Sequence, residues 1–161
     1  MFYGLQVMVA RDERTSICYL HPYAKLATVQ TDRPKLLVID DEALVLMAVE
    51  DALVEAGYEV VAVASAAEAM EALEAGVASI RCVVTDIRLP GKLTGWDIAK
   101  RARQLDASMP IIYMTGDSVG QWAVNGVPES MVLGKPYAMS QLVTAVAQLT
   151  TARTNNLANY A

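Results

Sequence analysis

The chain is poor in the side chains from which stapled or metal-clamped proteins are built. Two cysteines, Cys18 and Cys82, and one histidine, His21, stand among 161 residues. Two thiols are too few for a disulfide framework or a four-thiolate zinc site. His21 has no second histidine with which to form a metal pair, and reads as a surface or linker residue. There is no uncharged apolar run of the roughly 20 residues needed to span a bilayer. The N-terminus lacks a basic lead-in and reaches Arg11-Asp12-Glu13-Arg14 early, so it is a poor secretion signal. No basic surplus exists either. Thirteen Lys and Arg face eighteen Asp and Glu, a net charge of −5, which argues against binding a phosphate backbone. These absences lead us to expect a cytoplasmic protein that engages neither membrane nor nucleic acid.

What is present is apolar and periodic. Hydrophobic residues make up 54% of the chain and charged residues 19%, the balance of a globular core rather than of disorder. Residues 34–150 hold eight basic and fifteen acidic side chains, and they also carry all the clear periodicity. Residues 1–33 lack a sustained period. Leu5–Val9 has the look of a short strand, and Pro22, the polar run Gln30–Arg33 and Pro34 interrupt any helix. We read 1–33 as an N-terminal extension, partly disordered, 34–150 as the main domain and 151–161 as a frayed C-terminal tail.

From Lys35 onward, strand and helix patterns alternate. Lys35–Asp40 is a buried strand ending in acid. Glu42–Ala56 forms an amphipathic helix with Val45, Val49, Ala52 and Ala56 on its stripe, closed by Gly57. Tyr58–Ala64 is the second strand. Ser65–Glu68 is a capping box that opens a helix running to Gly76. Ile80–Asp86 is the third strand. Thr94 and Asp97 start the third helix, Gly95–Leu105. Pro110–Thr115 is the fourth strand, followed by a weak helix over Ser118–Asn125 that Gly120 interrupts and Gly126 ends. Glu129–Gly134 is the fifth strand. Leu142, Val146 and Leu149 mark the fifth helix. Such alternation implies an α/β fold, a (βα)5 doubly wound, five-stranded parallel sheet with right-handed crossovers.

Ligands of such sheets bind beyond the carboxyl ends of the strands. The first strand ends in Asp40-Asp41, the third in Asp86, the fourth in Thr115 and the fifth in Lys135. The second ends in Ala64-Ser65, with nothing reactive, which fits the order 2-1-3-4-5 with strand two at the edge. Three converging carboxylates repel one another unless a cation joins them. Oxygen-only ligands favour a hard ion, here Mg²⁺. An ammonium and a hydroxyl opposite the metal would suit a phosphoryl group, and Asp86 between the two halves is the natural nucleophile. Taken singly, Asp41 reads equally as a helix cap, Lys135-Pro136 as a turn and Thr115 as a packing residue. Taken together at the right strand ends, they read as one site.

Four segments carry a resemblance: Val38-Ile39-Asp40-Asp41-Glu42, Val84–Gly91 around Asp86, Met114-Thr115-Gly116 and Leu133-Gly134-Lys135-Pro136-Tyr137. With them, residues 34–150 resemble the receiver domain of bacterial two-component response regulators, a flavodoxin-like, CheY-like fold. The resemblance implies that Asp86 accepts a phosphoryl group from a sensor histidine kinase or histidine phosphotransfer protein. It implies that Asp40, Asp41, Asp86 and the Arg88 carbonyl hold Mg²⁺, directly or through water. Thr115 and Lys135 would contact phosphoryl oxygens, and the Lys135–Pro136 bond would be cis. The chain would catalyse only its own phosphorylation and dephosphorylation and would not otherwise be an enzyme. The family often has an aromatic switch residue three positions before the lysine, where this chain has Val132.

We therefore expect a stand-alone receiver that signals by conformational switching to a downstream protein, through the helix 4–strand 5–helix 5 face. The alternative is a pseudo-receiver, an interaction module without phosphotransfer. An aspartate-nucleophile phosphatase would need an acid-x-acid motif after strand one, and a nucleotide site would need a glycine-rich loop there. Neither is present. Spacing also places Arg88 and Asp117, each two residues past a site residue, at the rim. They are either a pair that sets the lifetime of the acyl phosphate or two solvated charges. Cys82 reads as a buried small hydrophobe, and Trp122 as a packing residue in preference to an exposed docking anchor.

Overall fold

A computed structural model describes residues 9–12, 15–18, 28–29 and 33–159. The chain divides into two compact units, residues 1–33 and 34–161. In the first, β1 (Val9–Asp12), β2 (Thr15–Cys18) and β3 (Thr28–Val29) pair as an antiparallel sheet in that order. Of the strand expected over Leu5–Val9, only Val9 is among the described residues, and His21 and Pro22 lie outside them.

The second unit is built on β4 (Lys35–Ile39), β5 (Glu59–Val63), β6 (Ile80–Asp86), β7 (Ile111–Thr115) and β8 (Met131–Gly134). All pair in parallel, in the order β5-β4-β6-β7-β8, which is the 2-1-3-4-5 order of a flavodoxin-like sheet. Between the strands run α1 (Ala43–Glu55), α2 (Ala66–Gly76), α3 (Gly95–Leu105) and α4 (Trp122–Asn125). The last helix, α5 (Met139–Asn159), follows β8.

Period-two alternation divides each strand between two cores. Leu36 and Val38, Cys82 and Val84, Ile112 and Met114 pack with Val49 and Leu53 of α1 and Leu142 and Val146 of α5. Leu37 and Ile39, Val83, Ile111 and Tyr113 pack on the other face with Leu73 of α2 and Ile98 and Ala102 of α3. Both faces are covered, so the central strands read as continuous apolar runs. Burial pushes the Cys82 thiol up to about 12, in keeping with its packing role.

Several details depart from the sequence reading. The buried line of α1 is Val49 and Leu53; the helix ends at Glu55, and Ala56 is its exposed C-cap. The Ser65 hydroxyl accepts from the Glu68 N–H at 3.3 Å, but the Glu68 carboxylate reaches back to the Ala64 N–H instead of the Ser65 N–H. At α3 the reciprocal box is complete, with the Thr94 N–H donating to Asp97 Oδ2 at 2.9 Å. The segment read as a frayed tail continues α5 as helix to Asn159. Its Arg153 donates to the carbonyls of Ile80 and Arg81 at 3.2 and 3.3 Å and pairs with Asp106, tying the helix end to the start of β6.

Gly95 joins this scaffold to the strand ends. A Cβ there would lie 2.2 Å from the Asp86 carbonyl oxygen, so only glycine lets α3 start this close to β6.

Candidate functional site

Strand register sets the site. Ile39 lies opposite Thr85, Asp86 opposite Met114, and Thr115 opposite Gly134. The residues at or just past these ends, Asp40, Asp86, Thr115 and Lys135, therefore meet at one edge of the sheet. Asp40 and Thr115 are fully buried and Asp86 nearly so.

The Lys135 ammonium is the hub. Its Nζ donates to Asp40 Oδ2 and to Asp86 Oδ2, each at 2.9 Å, and lies 3.6 Å from Glu42 Oε1. Two backbone donors hold the other carboxylate oxygens. The Glu42 N–H donates to Asp40 Oδ1 at 2.9 Å, and the Arg88 N–H to Asp86 Oδ1 at 3.2 Å. Thr115 Oγ1 accepts from the N–H groups of Asp117 at 3.3 Å and Ser118 at 2.9 Å, which leaves its own proton to donate elsewhere. The Lys135 N–H donates to the Thr115 carbonyl at 2.6 Å, and the Lys135–Pro136 peptide bond is cis.

The charges are mutually adjusted. Burial would lower the Lys135 pKa, but its hydrogen bonds to Asp40 and Asp86 outweigh burial and raise it above the ordinary lysine value. Burial raises the Asp40 carboxyl above its ordinary value, and the Lys135 and Glu42 hydrogen bonds offset this only in part. Burial likewise pushes the Tyr137 phenol up to about 12.

Asp40, Asp41 and Asp86 each offer a carboxylate oxygen within 4.8 Å of the others, with Asp41 the exposed member. An all-oxygen set with a buried carboxylate only partly compensated by the lysine fits a small hard cation. The donor chemistry thus suits a small hard divalent cation.

At the rim, Arg88 Nη2 lies 2.5 Å from Asp117 Oδ2, so these two side chains meet. Their side chains are 71% and 51% exposed, and such pairs contribute only about 0–1 kcal/mol to stability. Val132 sits in β8, half-buried against the α2–α3 core. Trp122 packs on the same core and its indole Nε1 donates to Ser130 Oγ at 3.0 Å. Two contributors stand outside the predicted site residues. Glu42 directly follows the acid pair and faces the ammonium. Ser118, three residues past Thr115, has the spacing of a hydroxyl-capped turn.

The model of the response regulator receiver domain family matches residues 36–147. The response regulator receiver protein of Sinorhizobium medicae WSM419 superposes with a TM-score of 0.73 at 47% identity. That alignment covers 75% of this chain and 97% of that one. The C4-dicarboxylate transport transcriptional regulatory protein DctD of Rhizobium meliloti (strain 1021) is 34% identical over 112 residues. This is 68% of this chain and 24% of that protein. Nodulation protein W of Bradyrhizobium diazoefficiens is 32% identical over 117 residues, 71% of this chain and 50% of that protein. The chain thus spans half or less of the length of these two relatives. Among the described residues, no helix is long and apolar enough to cross a membrane.

A pH dependence follows from Asp40. Its folded pKa is raised, so the folded state binds that proton more tightly than the unfolded chain does. The stability tied to this proton is present below the unfolded value and is lost as pH rises through the folded one. In the chelated protein, Asp40→Asn is expected to raise the urea midpoint at about pH 7.5. That gain should shrink as the pH falls through the raised folded value, where Asp40 takes up its own proton. A variant less stable than the parent at the higher pH would contradict the assignment.

Proposed function

Because the chain belongs to the response regulator receiver domain family, we propose that Asp86 accepts a phosphoryl group from a phosphohistidine of a sensor histidine kinase or phosphotransfer protein. The observation that carries this reading is Lys135 Nζ shared between Asp40 and Asp86 at 2.9 Å each. In the transfer, one carboxylate oxygen of Asp86 attacks phosphorus. A P–O bond forms as the P–N bond breaks, and the imidazole leaves with the electron pair. Lys135 orients Asp86 before attack and then faces the new phosphoryl oxygens. The Thr115 hydroxyl, which already accepts two backbone N–H groups, is left to donate its proton to one of those oxygens. Asp40, Asp41, Asp86 and the Arg88 carbonyl would hold Mg²⁺. When bound, the ion neutralises charge between carboxylates and phosphoryl oxygens.

Incubation with acetyl phosphate and Mg²⁺ tests the reading. Intact mass should show one added phosphoryl group, absent in Asp86→Asn and after chelation. Uptake that survives both changes, or no uptake by the parent chain, contradicts it. The second outcome would favour the interaction-module alternative.

Two finer assignments belong to this reading. The Arg88–Asp117 pair screens the acyl phosphate from water. Arg88→Ala is then expected to shorten the phosphoryl half-life by up to about fivefold, the kinetic equivalent of about 1 kcal/mol. An unchanged half-life would leave the two as solvated charges. The response to phosphorylation runs through the α4–β8–α5 face. There α4 has only four residues, and Val124 is 85% exposed. Hydrogen exchange after phosphorylation should change mainly over residues 116–149. Changes confined to α1 and α2 would refute this path.

A further inference from the structure

The hydrogen bonds of the rim and of the buried site form one connected network, and Asp117 and Ser118 are the residues where they join. Ser118 is 3% exposed, and each of its two donors is committed. Its N–H donates to Thr115 Oγ1 at 2.9 Å, and its hydroxyl donates to Asp117 Oδ1 at 3.0 Å. Asp117 Oδ2 meets Arg88 Nη2 at 2.5 Å, and the Arg88 N–H donates to Asp86 Oδ1 at 3.2 Å. The path therefore leads from the Asp86 carboxylate across the β6–α3 loop to the β7–α4 loop, and from there down to the Thr115 hydroxyl. Asp117 can present one oxygen to Arg88 because Ser118 occupies the other. A freely rotating carboxylate half exposed to water would hold that orientation only part of the time.

We propose that Ser118 is a positioning residue that fixes Asp117 toward Arg88 and ties that rim pair to Thr115, so that the rim stays closed over a phosphorylated Asp86. The inference rests on the phosphoacceptor reading of the site. Thr115 keeps both backbone donors when its own proton turns to a phosphoryl oxygen. A shift of Thr115 toward that oxygen then draws Ser118 and Asp117 with it. In this account the serine touches no reacting atom and acts through Asp117.

The test is a double-mutant cycle on the lifetime of the phosphorylated protein. The parent chain, Ser118→Ala, Asp117→Ala and the double variant are loaded with acetyl phosphate and Mg²⁺, desalted, and followed by intact mass. Ser118→Ala is expected to shorten the half-life about two- to fivefold, the kinetic equivalent of one modest hydrogen bond. The double variant should decay no faster than Asp117→Ala alone, because the serine has then lost the group through which it acts. A purely structural role would shorten the half-life by the same factor in both backgrounds and would overturn the inference. Ser118→Cys fills nearly the same space with a weaker donor. It carries the test if the alanine variant does not fold, with a shorter half-life expected and an unchanged one contrary. A parent chain that takes up no phosphoryl group overturns the reading of the site itself, and this inference with it. A phosphorylated chain whose lifetime ignores Ser118 overturns this inference alone.

Discussion

The arrangement depends on one ammonium placed between two buried carboxylates. Asp40 is fully buried and Asp86 nearly so, and without a cation between them their mutual repulsion and desolvation would oppose the fold. Lys135 supplies that charge from the opposite side of the sheet centre, 95 residues along the chain from Asp40. The compensation is incomplete, since one ammonium faces the grouped carboxylates of Asp40, Asp41 and Asp86. A site left short of positive charge and lined with hard oxygens is one that a small divalent cation completes. The same ammonium that bridges the carboxylates faces any oxyanion attached to one of them. Stability and chemistry thus draw on a single charge.

The rest of the domain serves to deliver these groups to one place. Parallel register aligns the ends of β4, β6, β7 and β8, and two separate cores fix the sheet from both sides. Gly95 lets α3 begin against the Asp86 backbone, which anchors the loop carrying Arg88. On the next strand, the β7–α4 loop folds back over Thr115 through the Asp117 and Ser118 N–H groups. The two loops meet at Arg88 and Asp117, at the rim of these strand ends.

Much of this was legible in the sequence because the strands are short, apolar and separated by amphipathic helices. Acid, hydroxyl and ammonium stand at strand ends, where topology alone brings them together. The Arg88–Asp117 contact could be read from spacing, since residues two past adjacent strand ends extend over the same edge. Other features depend on side-chain direction. The buried line of α1 passes through Val49 and Leu53, and nothing in the periodicity distinguishes that from a stripe one position away. Arg153 looked like part of a tail because its partners, the Ile80 and Arg81 carbonyls and Asp106, lie far away in sequence. Ser118 looked like the start of a weak helix. Its role appears only when its two donors are traced to Thr115 and Asp117.

The most direct test of the central claim is a crystal structure with Mg²⁺ and beryllofluoride, which mimics a phosphoryl group on a carboxylate. The account predicts the fluoride adduct on an Asp86 oxygen, with Lys135 Nζ and Thr115 Oγ1 in hydrogen-bond contact with its fluorines and the cation among Asp40, Asp41 and Asp86. An adduct on another carboxylate, or Lys135 still bridging Asp40 and Asp86 with no adduct bound, would contradict it.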